Sequence, residues 1–353
     1  MNDCQRCSQF PELKSKGYLL FHSKNTMITH SLKKIVQKYE ENDSLVFVPY
    51  TSFEHLEEMV LKIRASFTKE EKEQLVGTYT DENKNQNRFV NMTSFPVLSE
   101  RLKNRDFVSI INKRMFTQHL QPIISLQQND VFGYEFLLRP LPNGYPFSPG
   151  ELFSFSQRAG LQSNLDSQAR IASIEISSRL VKPGVKRFIN FLPSSIYDPN
   201  HCLKSTFKAV EKYGVAPTDL VFEVVETEKI QNMDHLKMIF RTYQEHGMKV
   251  ALDDLGSGFS SVEVLKELKP NFTKIDRSLI AYCDQDQEKQ SRIKEILDIG
   301  NAYGMTVLAE GIERPEEAQF CQQVGISLAQ GYFFGKPNDQ PLVQDQLSEQ
   351  RVY

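Results

Sequence analysis

The chain lacks three things whose absence narrows its function. It has no basic excess: 42 Lys and Arg stand against 45 Asp and Glu, a net charge of −3 over 353 residues. General nucleic-acid binding normally needs a cationic face, so that class loses weight, although a local basic pocket for one nucleotide stays open. It has no long apolar run. The longest stretches, such as Leu19, Leu20 and Phe21, are far too short to span a bilayer, and the start, Met1 to Cys7, has no apolar core of a secretory signal. It has few cysteines, five in all, and Cys202, Cys283 and Cys321 are widely scattered. That pattern predicts reduced thiols in a cytoplasmic protein.

What is present reads as a globular chain of one large domain and a smaller one. Hydrophobic residues make up 40% and charged residues 25%, which is ordinary for a soluble fold. Residues 17–22 and 44–48 read as strands, with 76–79 as a third. Apolar spacing through Leu32, Ile35 and Val36 predicts a helix over 29–39, and a second helix covers 53–67. Residues 81–87 contain no apolar side chain and predict a linker. The expected division is therefore a small α/β domain over residues 1–92 and a larger domain over 93–353, entered through an amphipathic helix at 96–116. The run Lys69 to Lys72 reads as a solvated helix face. Cys4 and Cys7 have the spacing of half a zinc site. The only nearby complements, His22 and His30, match no common pattern, so a reduced terminus is the expectation.

From residue 120 the pattern becomes strand, then helix, repeatedly. Eight strand-like runs start near residues 121, 132, 187, 219, 249, 272, 305 and 328. Helical patterns at 166–180, 235–246 and 289–303 lie between them. This predicts a (β/α)8 barrel of the TIM type. Only a short polar turn, residues 127–130, separates the first two runs. A parallel pair needs a longer crossover, so the first strand should be antiparallel and the barrel modified.

In such barrels the chemistry gathers at the carboxyl ends of the strands. Here those ends carry Glu135, Asn190, Glu223, the pair Asp253 and Asp254, Lys274, Glu310 and Gln330. A charge at the end of an apolar strand is costly without a partner, and at least five strands carry one toward the same rim. Carboxylates plus an amide form an oxygen set suited to Mg²⁺ or Mn²⁺ rather than zinc. Neighbouring Asp253 and Asp254 can share a site only where the strand breaks, and Gly256, Ser257 and Gly258 are expected to supply the break. Asp253 would then bridge two metals about 3.5–4 Å apart, with Lys274 adding positive charge where phosphate charge builds up. Plainer readings stand beside these. Glu223 and Glu226 could be edge charges, Asp253 and Asp254 a turn, and Lys274 an ion pair with Asp276. Arg139 and Gln330 could be satisfied core groups.

The ordered blocks resemble the EAL domain family of cyclic di-GMP phosphodiesterases over roughly residues 96–337. The signature tripeptide stands as Glu135, Phe136 and Leu137. The other matching blocks are Gln121 with Pro122 and Ile123, then Asn190, Glu223 through Glu226, Asp253 through Ser261, Lys274 through Asp276, Ala309 through Glu313, and Gln330 with Gly331 and Tyr332.

The resemblance implies a metal-dependent phosphodiesterase that hydrolyses cyclic di-GMP to linear pGpG by attack of a metal-activated water. It implies Glu135, Asn190, Glu223 and Asp253 as ligands of one ion, and Asp253 with Asp254 for a second. Glu310 would activate or orient the water, and Lys274 would polarise it or the phosphate. Gln330, Arg139 and Gln121 would contact substrate, and Glu226 would anchor the glycine-rich loop after Asp254. It further implies a homodimer and two Mg²⁺ or Mn²⁺ ions per site; the longer bonds and looser geometry of Ca²⁺ at oxygen ligands predict that it occupies the site and inhibits. Phe136 and Leu255 replace the family's usual alanine and phenylalanine and bear on rate rather than ligation. Two other readings remain: a catalytically weak or inactive EAL domain serving as a cyclic di-GMP receptor, and an unrelated barrel metallohydrolase. No Gly-Gly-Asp-Glu-Phe cyclase block is present, and residues 1–92 match no sensor.

Overall fold

A computed structural model describes residues 12–81, 92–224, 232–256 and 262–342. Cys4, Cys7, residues 82–87 of the expected linker, Glu226 and the loop from Ser257 to Ser261 lie outside the described residues. By contacts the chain divides into two compact units. One comprises Met1–Phe116 and Pro140–Leu165, the other Thr117–Arg139 and Asp166–Tyr353.

The first unit is built on a five-stranded sheet. Its elements in chain order are β1 (Gly17–His22), α1 (Thr26–Val36), β2 (Glu40–Asn42), β3 (Leu45–Tyr50), α2 (Phe53–Ser66), α3 (Lys69–Gln74), β4 (Val76–Thr80), β5 (Thr93–Ser94), α4 (Phe95–Lys103) and α5 (Arg105–Lys113). The strands run in the order β2-β3-β1-β4-β5, all antiparallel. Strand alternation turns Leu19 and Phe21 of β1 and Val46 and Val48 of β3 onto one face. There they join Leu32 of α1, Leu56 and Ile63 of α2, and Phe95, Leu98 and Leu102 of α4 in one buried cluster.

Two expectations change here. The single helix at 96–116 is two helices, broken at Asn104 (φ −113°, ψ 54°), and Phe116 already begins the next strand. A boundary at residues 92/93 also falls inside this packing, because α4 buries its apolar side among residues of the first sheet. The apolar spacing of α4 marked it as amphipathic but carried no information on which core it would cover.

The second unit is a closed barrel of eight strands. They are β6 (Phe116–Ser125), β7 (Asp130–Pro140), β8 (Lys186–Phe191), β9 (Leu220–Val224), β10 (Lys249–Leu255), β11 (Phe272–Ile275), β12 (Thr306–Ala309) and β13 (Leu328–Gln330). β7 through β13 run parallel in sequence order, and β6 closes the ring antiparallel to β13, as the short turn after it predicts. Between Pro140 and β8 lie α6 (Pro149–Arg158) and α7 (Gln162–Leu180). The later crossovers carry α8 (Pro199–Cys202), α9 (Lys204–Tyr213), α10 (Met233–Glu245), α11 (Val262–Leu268), α12 (Arg277–Ile280), α13 (Gln287–Ala302) and α14 (Pro315–Val324).

Alternation divides the barrel's side chains into two sets. Ile189, Phe222, Val250, Leu252, Ile275 and Val307 face outward, with helix residues such as Ile239, Ile293 and Ile296 in the same core. Phe136 is buried in that outer core, away from Glu135, and Leu255 joins it. Ile123, Phe188, Val221, Ala251, Phe272, Leu308 and Leu328 form a separate inner layer.

Candidate functional site

The inner layer positions the site. Two residues beyond six of its members stands a polar residue, on the same strand in every case but Glu310, which directly follows β12. Phe188 is followed by Asn190, Val221 by Glu223, Ala251 by Asp253, Phe272 by Lys274, Leu308 by Glu310 and Leu328 by Gln330. On the antiparallel β6 the order reverses, and Gln121 stands two residues before Ile123. Glu135 joins this tier from β7, opposite Phe188 in the register. The barrel thus has an apolar floor and, one pleat above it, a polar tier at the carboxyl rim. That period-two step from apolar to polar, repeated strand after strand, is readable in the sequence. The strand-by-strand reading above picked out only its polar half.

Lys274 lies at the centre of the tier and is fully buried. Its Nζ is 2.6 Å from Glu310 Oε1, 3.0 Å from Glu223 Oε2, 3.2 Å from Asp253 Oδ2 and 3.8 Å from Glu135 Oε2. Asp276 is not its partner. That carboxylate accepts Ser278 N at 2.9 Å and caps α12, so the plainer reading of Lys274 gives way. Asn190 Nδ2 donates to Glu135 Oε1 at 3.0 Å, and Gln330 Nε2 donates to Glu135 Oε2 at 2.6 Å. Gln121 is buried nearby on β6, where its Nε2 lies 3.5 Å from Gly335 O.

Asp254 joins Asp253 by a different route from the one expected. The strand does not wait for Gly256 to break. Its register with β11 shifts between Leu252 and Leu255, and Asp254 takes a left-handed conformation with φ 56°. Asp tolerates that conformation better than most residues. The irregularity brings carboxylate oxygens of Asp253, Asp254 and Glu310 within 4.8 Å of one another.

The charges at this tier are strongly coupled. Burial works against the Lys274 ammonium, but Asp253, Glu135, Glu223 and Glu310 hold its pKa well above the usual lysine range. Burial would raise Glu135 too. The nearby Lys274 and the donors Gln330 and Asn190 outweigh it and keep that carboxyl below its ordinary value. Burial pushes Glu223 well above the carboxylate range, helped by Glu135 and Asp253. Burial and Asp253 do the same to Glu310 and raise Asp254 to about 6.

One ammonium faces five carboxylates, and the excess of negative charge fits divalent cations. Two further features support that fit. Glu223 is wholly buried: the Lys274 ammonium stands 3.0 Å from its Oε2, and its Oε1 accepts no hydrogen bond among the described residues. Gln330 is also buried and its Oε1 is unsatisfied. Buried acceptors without donors call for a cation or an ordered ligand. Glu135, Asn190, Glu223, Asp253 and Asp254 would hold such ions.

Arg139 shares the strand with Glu135, four residues on, and its guanidinium donates to Leu138 O at 2.8 Å. Among the described residues no hydrogen bond or ion pair joins it to the tier. Glu226, expected to anchor the loop after Asp254, lies outside the described residues.

Comparison with known proteins places this geometry. The family model described as the EAL domain matches residues 101–337. A probable cyclic di-GMP phosphodiesterase, PdeG of Escherichia coli K12, is 30% identical over 64% of this chain and 45% of its own. The cyclic di-GMP phosphodiesterase PdeF of the same organism is 29% identical over 65% of this chain and 30% of its own. The chain thus spans less than half the length of these relatives. A standalone EAL protein from Vibrio cholerae O395, solved with cyclic di-GMP bound, is 32% identical. It matches with a TM-score of 0.60 over 66% of this chain and 97% of its own. Klebsiella pneumoniae BlrP1, solved with calcium and cyclic di-GMP, is 20% identical with a TM-score of 0.58. That fold match extends over 92% of this chain, beyond the barrel. The chain belongs to the EAL domain family.

Proposed function

We propose that the protein is a cyclic di-GMP phosphodiesterase that opens one phosphodiester bond to give linear pGpG. The observation that carries the reading is the polar tier itself. Glu135, Asn190, Glu223, Asp253, Lys274, Glu310 and Gln330 converge there, which supports the reading, while the hydrogen bond of Arg139 goes to its neighbour Leu138. Divalent cations, Mg²⁺ or Mn²⁺ and two per site, would supply the charge that offsets the carboxylates and polarises a water.

The chain's own groups do the rest. Glu310 takes the proton from the attacking water as the water oxygen bonds to phosphorus and the opposite P–O bond breaks, and the leaving sugar oxygen gains a proton from solvent to become a hydroxyl. Lys274 stays an ammonium throughout, holding Glu310 in place and countering charge on the phosphate. Gln330 and Asn190 fix the Glu135 carboxylate, and Arg139, at the outer end of β7, meets the substrate's second phosphate. Residues 93–353 act as the catalytic part. A cytoplasmic location enters the proposal through the few, scattered cysteines, and a homodimer through the family resemblance.

The test is incubation of the pure protein with cyclic di-GMP and Mg²⁺, Mn²⁺ or Ca²⁺, followed by chromatography, beside a binding assay. pGpG with Mg²⁺ or Mn²⁺, and binding without turnover in Ca²⁺, is the expected result. Ca²⁺ bonds to oxygen at about 2.3–2.6 Å against about 2.0–2.1 Å for Mg²⁺, too long to hold a water in line. GMP as the first and only product counts against the proposal. Tight binding with no product under any metal makes the protein a receptor.

A further inference from the structure

Glu317 is the third residue of α14 and is almost fully buried. Its carboxylate accepts three backbone N–H groups. Oε1 takes that of Tyr282 at 2.9 Å, and Oε2 takes those of Glu313 at 3.0 Å and Arg314 at 3.1 Å. The bond to Arg314 is the returning half of a capping box. The bond to Tyr282 spans 35 residues and serves no helix end.

These three amides belong to two segments that leave the polar tier. Glu313 and Arg314 follow Glu310 by three and four residues at the end of β12. Tyr282 lies in the segment after β11, the strand of Lys274. Tyr282 itself sits in the left-handed region, φ 59°. For a bulky side chain that conformation needs support from its surroundings. The same join is repeated at the surface, where Arg314 Nη1 donates to Asp284 Oδ1 at 3.0 Å.

On its other sides the Glu310 segment has little room. Glu310 N donates to Ile275 O at 3.0 Å, and Ile312 N donates to Gln330 O at 3.1 Å. A Cβ on Gly311 would come 2.5 Å from the Arg277 side chain, and one on Gly331 would come 2.0 Å from Ile312 O. The segment is therefore held against β11 and β13 by backbone contacts. At its far end two ion pairs at the surface, Arg277 with Glu313 at 2.9 Å and Arg314 with Asp284 at 3.0 Å, reach the segment following β11, and Glu317 is the buried group that ties the two backbones together.

We infer that Glu317 is a positioning residue for the proposed reaction, clasping the Glu310 segment to the Lys274 side of the barrel so that the two groups meet at a fixed spacing before substrate arrives. This inference rests on the phosphodiesterase reading. A clasp of this kind acts on the reacting geometry more than on substrate affinity, which separates it from a mere helix cap.

The experiment compares wild type, Glu317→Gln and Glu317→Ala by steady-state kinetics on cyclic di-GMP with Mn²⁺ and by amide hydrogen exchange. In Glu317→Ala, kcat should fall about 10–100-fold, the usual effect of removing a supporting group behind a reacting one, with KM little changed. Exchange should quicken at Tyr282, Glu313 and Arg314 while the barrel strands keep their protection. Glu317→Gln keeps one acceptor oxygen and should fall between the two. If the alanine variant does not fold, the glutamine variant decides: lower kcat with faster local exchange supports the clasp, and wild-type behaviour in both overturns it. A folded Glu317→Ala with normal kcat also overturns it. If wild type itself makes no product, the phosphodiesterase reading fails. Exchange still judges the clasp, and unchanged protection at those amides refutes it.

Discussion

Lys274 Nζ lies 2.6 Å from Glu310 Oε1, the shortest of its four approaches to carboxylates. The pair joins adjacent parallel strands across the barrel mouth, with Lys274 opposite Leu308 in the register and Glu310 two residues beyond. The lysine therefore supplies the cation at the centre of a cluster of carboxyl groups, and its loss should be felt in stability as well as in rate.

Replacing Lys274 with Met should destabilise the cation-free protein by about 3–5 kcal/mol at pH 8, the usual range when one partner of a buried ion pair is removed. The loss should shrink near pH 5, where Glu223 and Glu310 can be neutral. Denaturant unfolding at the two pH values measures it. A change below about 1 kcal/mol at pH 8, typical of an exposed pair, would show that the lysine is not the cluster's main counter-charge.

The cluster should also set a pH dependence that cations reverse. Asp254 is raised to about 6, and Glu223 and Glu310 are raised well above their ordinary value. A carboxyl whose folded pKa exceeds its unfolded value is favoured in its protonated form. The folded state then binds more protons than the unfolded state, and stability falls as pH rises. The window opens near the unfolded carboxyl value of about 4 and extends through about 6 for Asp254 and higher for the two glutamates. Glu135, lowered, works in the opposite sense but is one group against three. In EDTA, melting temperature should drop from pH 5 to pH 8. Mg²⁺ or Mn²⁺ should restore it most at pH 8, because cations bind the deprotonated form. A melting temperature indifferent to added cation across this range would contradict the ligand assignment.

How far the sequence reveals all this depends on the kind of interaction. Glu223, Asp253, Lys274 and Glu310 are legible because each is a charge ending an apolar strand, and a repeated fold puts such ends together. The antiparallel β6 is legible from a turn too short to cross a barrel. The break at Asp254 is less so, because Gly256 is the stronger local signal and the actual irregularity depends on pairing with β11. Glu317 could be read as a capping residue from its place three positions after Arg314, but its bond to Tyr282 depends on tertiary structure. The side of α4 that packs against the first sheet is likewise a matter of which core lies nearby, and amphipathic spacing does not specify that.

That packing predicts the fate of a truncated chain. Starting the protein at residue 93 strips the first sheet from Phe95, Leu98 and Leu102, which are at most 2% exposed. Each such side chain contributes about 1.5–3 kcal/mol when buried. The truncated protein should melt at a lower temperature than the full chain or aggregate, and Phe95→Ser, Leu98→Ser and Leu102→Ser introduced together should recover solubility. A truncated chain as soluble and stable as the full one would show that α4 finds equivalent cover elsewhere.

The central claim is that this polar tier cleaves cyclic di-GMP, and the most direct measurement sets wild type beside Glu310→Gln in Mn²⁺. Glutamine keeps the size of Glu310 and can still accept from Lys274, but it cannot take a proton from water. The account predicts pGpG from wild type and a rate about 10²–10⁴-fold lower from a variant that is equally folded, the usual contribution of a well-placed acid-base group. Equal rates from the two proteins would contradict it, because the product would then arise without the group to which the chemistry is assigned.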